Sequence, residues 1–213
     1  MIHLIYDGYI GIFVMVIIAL VMSLCLHEFG HALVAKLYGD DTAQKAGRLT
    51  LNPLVHIDPM GLLMVVFVGF GYARPVPTDP RNFNSRWAEM MVSAAGPAMN
   101  LLLAILTINF YVLGIKAGIP SLSDRGPEFF FLYLAQINLL LMIFNLLPIG
   151  ALDGHYILPY FLPRELAARY RYYNARYGNL VLLALIGLYV VGLPVFDYLL
   201  SVSNAVLPLI IFV

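Results

Sequence analysis

Apolar and polar positions along this chain form long blocks rather than short alternating patterns. Apolar blocks cover residues 9–26, 87–115 and 128–149, and each is long enough to cross a hydrocarbon layer about 30 Å thick as a helix. After Asn179 a further apolar stretch, interrupted near Pro194, predicts two closely spaced helices. The pattern therefore predicts an all-α polytopic membrane protein with a three-span core and about two C-terminal spans.

A weaker apolar segment, residues 59–72, is short for a span and also fits a re-entrant piece. If it does not cross, ten of the 12 Lys and Arg residues share one face, and only Lys116 and Arg125 lie on the other. If it crosses, the division becomes five against seven. The positive-inside rule favours the uneven distribution. We therefore predict Met1 outside, residues 36–86 inside, and residues 59–72 as a dip into the membrane.

Shorter segments between and after the spans carry their own signals. Residues 47–53 alternate polar and apolar positions and stop at a proline, which predicts a short β-ribbon. Three prolines hold residues 74–80 extended. The Arg- and Tyr-rich residues 164–177 predict an interfacial helix among lipid headgroups. Residues 1–213 are expected to form one membrane-embedded domain, with a core over about 9–158 and C-terminal spans over about 179–213.

Composition supports the membrane interpretation. Apolar residues make up 62% of the chain and charged residues 11%, which excludes an ordinary soluble domain. The chain has 12 Lys and Arg residues and 12 Asp and Glu residues, so it lacks the excess of positive charge that would indicate a nucleic-acid partner. The expected partners are membrane lipids and transmembrane proteins, and the sequence does not indicate an oligomeric state.

Three titratable side chains stand in the first apolar helix, at His27, Glu28 and His31. A charged group at the centre of a membrane helix costs roughly 3 kcal/mol, so such groups indicate function. At about 100° per residue, His31 returns to within about 40° of His27, and Glu28 lies beside them. This is the H-E-x-x-H pattern, in which two histidines bind zinc and the glutamate is the general base. The alternative is a chance spacing of histidines satisfied in the core.

A catalytic zinc needs a third protein ligand, and Asp153 is the candidate. It follows Pro148 and Gly150, which break the helix and let irregular backbone direct a carboxylate into a cavity. With Met1 outside, the spans over residues 9–26 and 128–149 both end inside, so Asp153 reaches the level of the two histidines. The alternative is an aspartate that caps the stretch after it.

Together these motifs resemble the site-2 protease family of intramembrane zinc metalloproteases, in its compact subgroup without a PDZ or CBS domain. The resemblance rests on His27-Glu28-Phe29-Gly30-His31, Gly96-Pro97-Ala98-Met99-Asn100, the Asn145 that precedes Pro148, and Leu152-Asp153-Gly154. It implies three spans around one zinc, cleavage of membrane-embedded helices, and Glu28 as general base toward a zinc-activated water. Asn100 and Asn145 are the implied stabilisers of the oxyanion. The alternative for both is an interhelical hydrogen bond.

Other polar residues have weaker signals. Asn109 and Asn138 lie within spans without a motif, which favours interhelical hydrogen bonds. His56 is a donor to the reacting carbonyl, a group that supports a residue of the site, or a turn histidine, and His155 is not expected to be a ligand. A substrate helix must unwind before cleavage, and the segment near 49–51 or the extended residues 74–80 could hold the unwound part by strand addition.

Two other functions use the same groups. A divalent-metal transporter would employ the His, Glu and Asp side chains as a transport site, but the chain has no internal repeat and only one broken segment. A catalytically inactive scaffold has no need for Glu28. We therefore expect a zinc endopeptidase in a prokaryotic cell membrane, with the N-terminus outside and the zinc site toward the cytoplasmic side.

Overall fold

The protein is described here by a computed structural model of residues 1–69 and 71–213, and it is 74% helical. The described residues contain the following α-helices: α1 (His3–Tyr6), α2 (Ile10–Leu37), α3 (Thr42–Lys45), α4 (Pro53–His56), α5 (Pro59–Val68), α6 (Ala88–Lys116), α7 (Arg125–Asn145), α8 (Asp153–Ile157), α9 (Arg164–Tyr173), α10 (Asn179–Val190) and α11 (Asp197–Val206). A π-helical turn, Asn174–Gly178, joins α9 to α10.

Helices α2, α6 and α7 form the centre of the fold. They have 28, 29 and 21 residues, and among the described helices these three are long and apolar enough to cross a membrane. Helix α6 packs against both of the others. Ala104 and Ala135 are fully buried between α6 and α7, because small side chains let helices approach closely. The three predicted core spans therefore correspond to three packed helices.

The outer face of α6 has the character of a surface in contact with lipid. Leu102, Leu106 and Phe110 are 46%, 59% and 56% exposed and recur every four residues along the helix. Such a stripe is unfavourable in water and favourable against lipid tails. The chain is an integral membrane protein.

The two ends of segment 57–73, which we call the 57–73 hairpin, lie side by side. Helix α5 has ten residues, about 15 Å, and the side chain of Asp58 caps its first turn by accepting from the Met60 and Gly61 amides. An isolated antiparallel bridge joins Ile57 to Ala73. A re-entrant segment enters and leaves the membrane on the same side, so its two ends must lie close together, as Ile57 and Ala73 do. Residue 70, within the predicted segment 59–72, lies outside the described residues.

The β-ribbon predicted over residues 47–53 is not confirmed. Residues 49 and 50 form a bend. The carbonyl of Thr50 lies 2.8 Å from Nε2 of His56, and the Leu51 carbonyl accepts from the Cys25 thiol at 3.2 Å. These two carbonyls therefore bond to side chains instead of to a neighbouring strand.

Two helix boundaries differ from those that hydropathy predicts. The apolar block at residues 128–149 was expected to form one span, but α7 begins at Arg125 and ends at Asn145. The last turn of α7 tightens because the Leu147 amide donates to the Phe144 carbonyl, at 3.1 Å, and Pro148 cannot continue the helix.

Helices α10 and α11 occupy the predicted C-terminal stretch, and at 12 and ten residues they do not confirm two further spans.

Candidate metal centre

His27, His31 and Asp153 converge on one point between the central helices. The histidines lie one turn apart on α2, and Asp153 is the first residue of α8. Nε2 of His27 lies 3.0 Å from Nε2 of His31 and 3.3 Å from Oδ2 of Asp153. Oδ1 of Asp153 lies 3.4 Å from Nε2 of His31. All three predicted ligands therefore meet, although α2 and α8 are far apart in the sequence.

The spacing of these atoms fits a tetrahedral metal. Zinc–ligand bonds of about 2.0–2.1 Å at tetrahedral angles place neighbouring ligand atoms about 3.3 Å apart. The three observed separations are 3.0, 3.3 and 3.4 Å. Oδ2 of Asp153 is buried without a hydrogen-bond partner, although it is within ion-pair distance of His27. Two imidazoles and one carboxylate leave a fourth position open, as catalytic zinc sites do.

Hydrogen bonds on the far side of each ring fix which nitrogen faces the centre. Nδ1 of His27 lies 2.6 Å from Oδ1 of Asn100, and Nδ1 of His31 lies 2.7 Å from the Val92 carbonyl. Both partners are oriented as acceptors, so each Nδ1 carries the proton and each Nε2 presents a lone pair. Two lone pairs and a carboxylate that face one another form a donor set that could hold a divalent cation.

Helix α6 approaches the centre at Gly96. A Cβ atom there would lie 2.4 Å from Nε2 of His31 and 2.6 Å from Nε2 of His27. Only glycine lets the backbone come so close to both rings. The first residue of the Gly96–Asn100 motif therefore makes room for the histidines, and the last bonds to one of them.

Asn100 belongs to a buried polar network that joins the three central helices. Its amide nitrogen donates to Oδ1 of Asn138 at 2.7 Å and to the Ser23 carbonyl at 3.3 Å. Asn138 in turn donates to Oγ of Ser23 at 2.8 Å. All three residues are 0% exposed. The interhelical bonds predicted for Asn138 are confirmed, and the network extends to the ring of His27.

Glu28 follows His27 directly in the chain but does not belong to the cluster of three candidate ligands. It is 8% exposed, and its Oε2 accepts from the backbone amide of Val76 at 3.1 Å. This amide belongs to the proline-rich segment 74–80. Hydropathy gives no signal for such a contact, and sequence reasoning did not connect Val76 to the site.

The segment that reaches Glu28 is fixed on both sides of Val76. The buried guanidinium of Arg48 donates to the carbonyls of Arg74 and Pro75. The Asp79 amide donates to Oδ2 of Asp40 at 2.7 Å. Although burial raises the pKa of the Asp40 carboxyl, hydrogen bonds from Asn82, Thr42 and the backbone hold that pKa below its ordinary value. Asp40 therefore stays ionised and keeps the segment in place at neutral pH.

The remaining candidates lie in different surroundings. Asn145 is half-buried at the end of α7, and its amide donates to the Leu141 carbonyl of the same helix at 2.9 Å. His56 is 1% exposed at the base of the 57–73 hairpin, with Nδ1 unpartnered. Within the described residues, the ligand cluster does not include His155, whose Nδ1 lies 3.4 Å from the hydroxyl of Tyr170.

The model of peptidase family M50 matches residues 15–119 and 111–186, which is more than half of the chain. The chain belongs to peptidase family M50. This is the site-2 protease family, so the resemblance drawn from the motifs is confirmed, and the protein is a metalloprotease. No solved structure matches this M50 chain significantly.

Relatives of this M50 protease carry names that agree with the family. The "Putative zinc metalloprotease YwhC" of Bacillus subtilis (strain 168) is 42% identical over 172 residues, which are 79% of this chain and 78% of YwhC. The "Putative zinc metalloprotease Rip2" of Mycolicibacterium smegmatis is 38% identical over 155 residues, 70% of this chain and 57% of Rip2. Rip2 of Mycobacterium tuberculosis H37Rv is 37% identical over 153 residues, with the same coverage of 70% and 57%. The match thus spans little more than half of each Rip2 protein, and these names do not favour a metal transporter.

Proposed function

We propose that this M50 protease is an intramembrane zinc endopeptidase that hydrolyses peptide bonds in or near transmembrane helices. The observation that carries the proposal is the convergence of His27, His31 and Asp153 at ligand spacing, with Glu28 beside them. The three ligands would hold one zinc ion per chain. Bound in such a site, zinc polarises a carbonyl and lowers the pKa of a water molecule to about 7.

Glu28 is the proposed general base and acid. Its carboxylate takes the proton of the attacking water and returns a proton to the leaving amine. The low exposure of the side chain, at 8%, keeps bulk water from competing for that proton. The Val76 amide that donates to Oε2 leaves the other carboxylate oxygen for the water.

The substrate is a transmembrane helix that has unwound locally. Peptide groups within an intact helix are already hydrogen-bonded, so a carbonyl must be released before it can react. The extended segment 74–80 lies next to Glu28 and is suited to hold an unwound strand. We assign this role to segment 74–80 rather than to residues 49–51, because Val76 in this segment bonds directly to Glu28.

The proposed setting is a prokaryotic cell membrane, with the N-terminus outside and the zinc site toward the cytoplasm. The support is the predicted distribution of basic residues and the paired ends of the 57–73 hairpin. A membrane-impermeant maleimide should label Asp7→Cys in intact cells and leave Glu165→Cys unlabelled. The reverse pattern would contradict the orientation.

The test of the function combines metal analysis with substrate capture. Purified full-length protein in detergent should contain about one zinc per chain. Membrane proteins enriched by the Glu28→Gln form should coincide with those that the wild type cuts, and a chelator should stop the cutting until zinc is restored. A wild type that binds no zinc, or whose captured partners are never cut, would overturn the proposal.

The two motif asparagines should affect different steps. Asn100 holds the ring of His27, so Asn100→Ala is expected to weaken zinc binding by about 10–100-fold. Asn145→Ala removes only a bond within α7 and should retain zinc. If Asn145 stabilises the oxyanion, this variant loses about 10²–10³-fold in kcat. Chelator competition and cleavage of the captured substrate measure the two effects, and loss of zinc from Asn145→Ala would contradict the division.

A further inference from the structure

The helix that follows the catalytic core bonds directly to the turn that carries Asp153. The hydroxyl of Tyr170, on α9, donates to the Pro148 carbonyl at 2.7 Å. The side chain of Asn174 donates to the Gly150 carbonyl at 2.9 Å and accepts from the Gly150 amide at 3.0 Å. Tyr170 and Asn174 are four residues apart and therefore lie on one face of the helix.

The backbone of the turn at residues 148–150 and the backbone after α9 approach closely, because each has a glycine at the contact, Gly150 and Gly178. Gly150 has a φ of +61°, which favours glycine, and its amide lies 2.9 Å from where a Cβ of Gly178 would be. Residues Asn174–Gly178 form a π-helical turn, a feature that occurs often at functional sites. Asn174 is the first residue of this turn.

The held turn leads into Asp153 within three residues. The Leu152 amide donates to the Ile149 carbonyl at 3.3 Å and closes the turn. Asp153 follows Gly150 by only three residues along this hydrogen-bonded backbone. A displacement of Gly150 therefore moves the carboxylate of Asp153. On the other side, Gly154 packs against the carbonyl of Leu146, where a Cβ would lie 2.2 Å away.

We propose that Tyr170 and Asn174 are positioning residues for the metal centre. They hold the turn at residues 148–150 so that the carboxylate of Asp153 meets His27 and His31 at ligand spacing. Helix α9 thus completes the site from outside the three central helices. This inference rests on the proposed function, in which these three residues bind zinc.

The variants are chosen to remove single polar groups. Tyr170→Phe deletes one hydroxyl, and Asn174→Asp replaces the amide donor by an oxygen that repels the Gly150 carbonyl. The matched controls are Tyr173→Phe, at the end of α9, and Asn179→Asp, at the start of α10, since both positions are exposed. Full-length protein in detergent is measured by chelator competition for zinc and by the visible absorption spectrum of the cobalt(II)-substituted form.

Both variants are expected to bind zinc about 10-fold more weakly than the controls. This is the lower end of the loss of affinity that follows when residues supporting the ligands of a metal site are mutated. The cobalt bands should shift in the variants, because the geometry at Asp153 changes, and stay unchanged in the controls. A lowered melting temperature with unaltered zinc affinity and cobalt spectrum would overturn the inference while leaving the proposed function intact. If Asn174→Asp does not fold, Tyr170→Phe decides by the same two measurements. A wild type that binds no metal would overturn both proposals.

Discussion

Glu28→Gln is expected to bind zinc as the wild type does and to cleave its substrate about 10²–10⁴-fold more slowly. The ligand cluster does not include Glu28, so the loss of its charge should leave the metal in place. The amide oxygen of glutamine can still accept from the Val76 amide, as Oε2 of Glu28 does at 3.1 Å. What glutamine cannot do is take a proton from the attacking water.

The control for this variant is Glu165→Gln, an equal change of charge at an exposed position on α9. It should keep both zinc and activity. Zinc content and cleavage of the captured substrate are measured on the same preparations. Wild-type cleavage by Glu28→Gln would overturn the role of Glu28 as general base, and loss of zinc would show that Glu28 is needed to hold the metal.

The parts of the site that sequence predicted are those encoded by local spacing. The i, i+4 spacing of His27 and His31 places both imidazoles on one face of any helix, and hydropathy alone locates that helix. Asp153 could be added because two spans were predicted to end on the same side. The structure brings it within 3.3 Å of His27 and 3.4 Å of His31.

The parts that sequence did not predict depend on how distant segments pack. Val76 reaches Glu28 only because the 57–73 hairpin folds back, and Tyr170 reaches Pro148 only because α9 lies beside the turn after α7. Neither contact leaves a period or a motif in the sequence. The strand predicted at residues 47–53 did have a pattern in the sequence, but it is not confirmed. Alternation of polar and apolar residues over a short segment does not determine which hydrogen-bond partners its carbonyls find.

Gly96→Ala is expected to abolish high-affinity zinc binding, lowering the affinity by at least about 100-fold, and to remove cleavage with it. The added methyl would lie 2.4 Å from Nε2 of His31 and 2.6 Å from Nε2 of His27, closer than nonbonded atoms approach. The rings cannot simply turn aside, because Asn100 and the Val92 carbonyl bond to their Nδ1 atoms. Either a ring leaves its partner or α6 moves away from α2, and both changes separate the ligands.

Gly187→Ala is the matched control, since it makes the same change within α10 where a Cβ meets nothing within 4 Å. In an open helical position this replacement is neutral or favourable by up to about 1 kcal/mol. A general effect of alanine on helix stability would therefore leave zinc in both variants. Loss of zinc from Gly96→Ala alone, with helix content unchanged by circular dichroism, isolates the contact with the histidines. Zinc bound as tightly as in the wild type would mean that the close approach of α6 to the two rings is not a requirement of the metal centre.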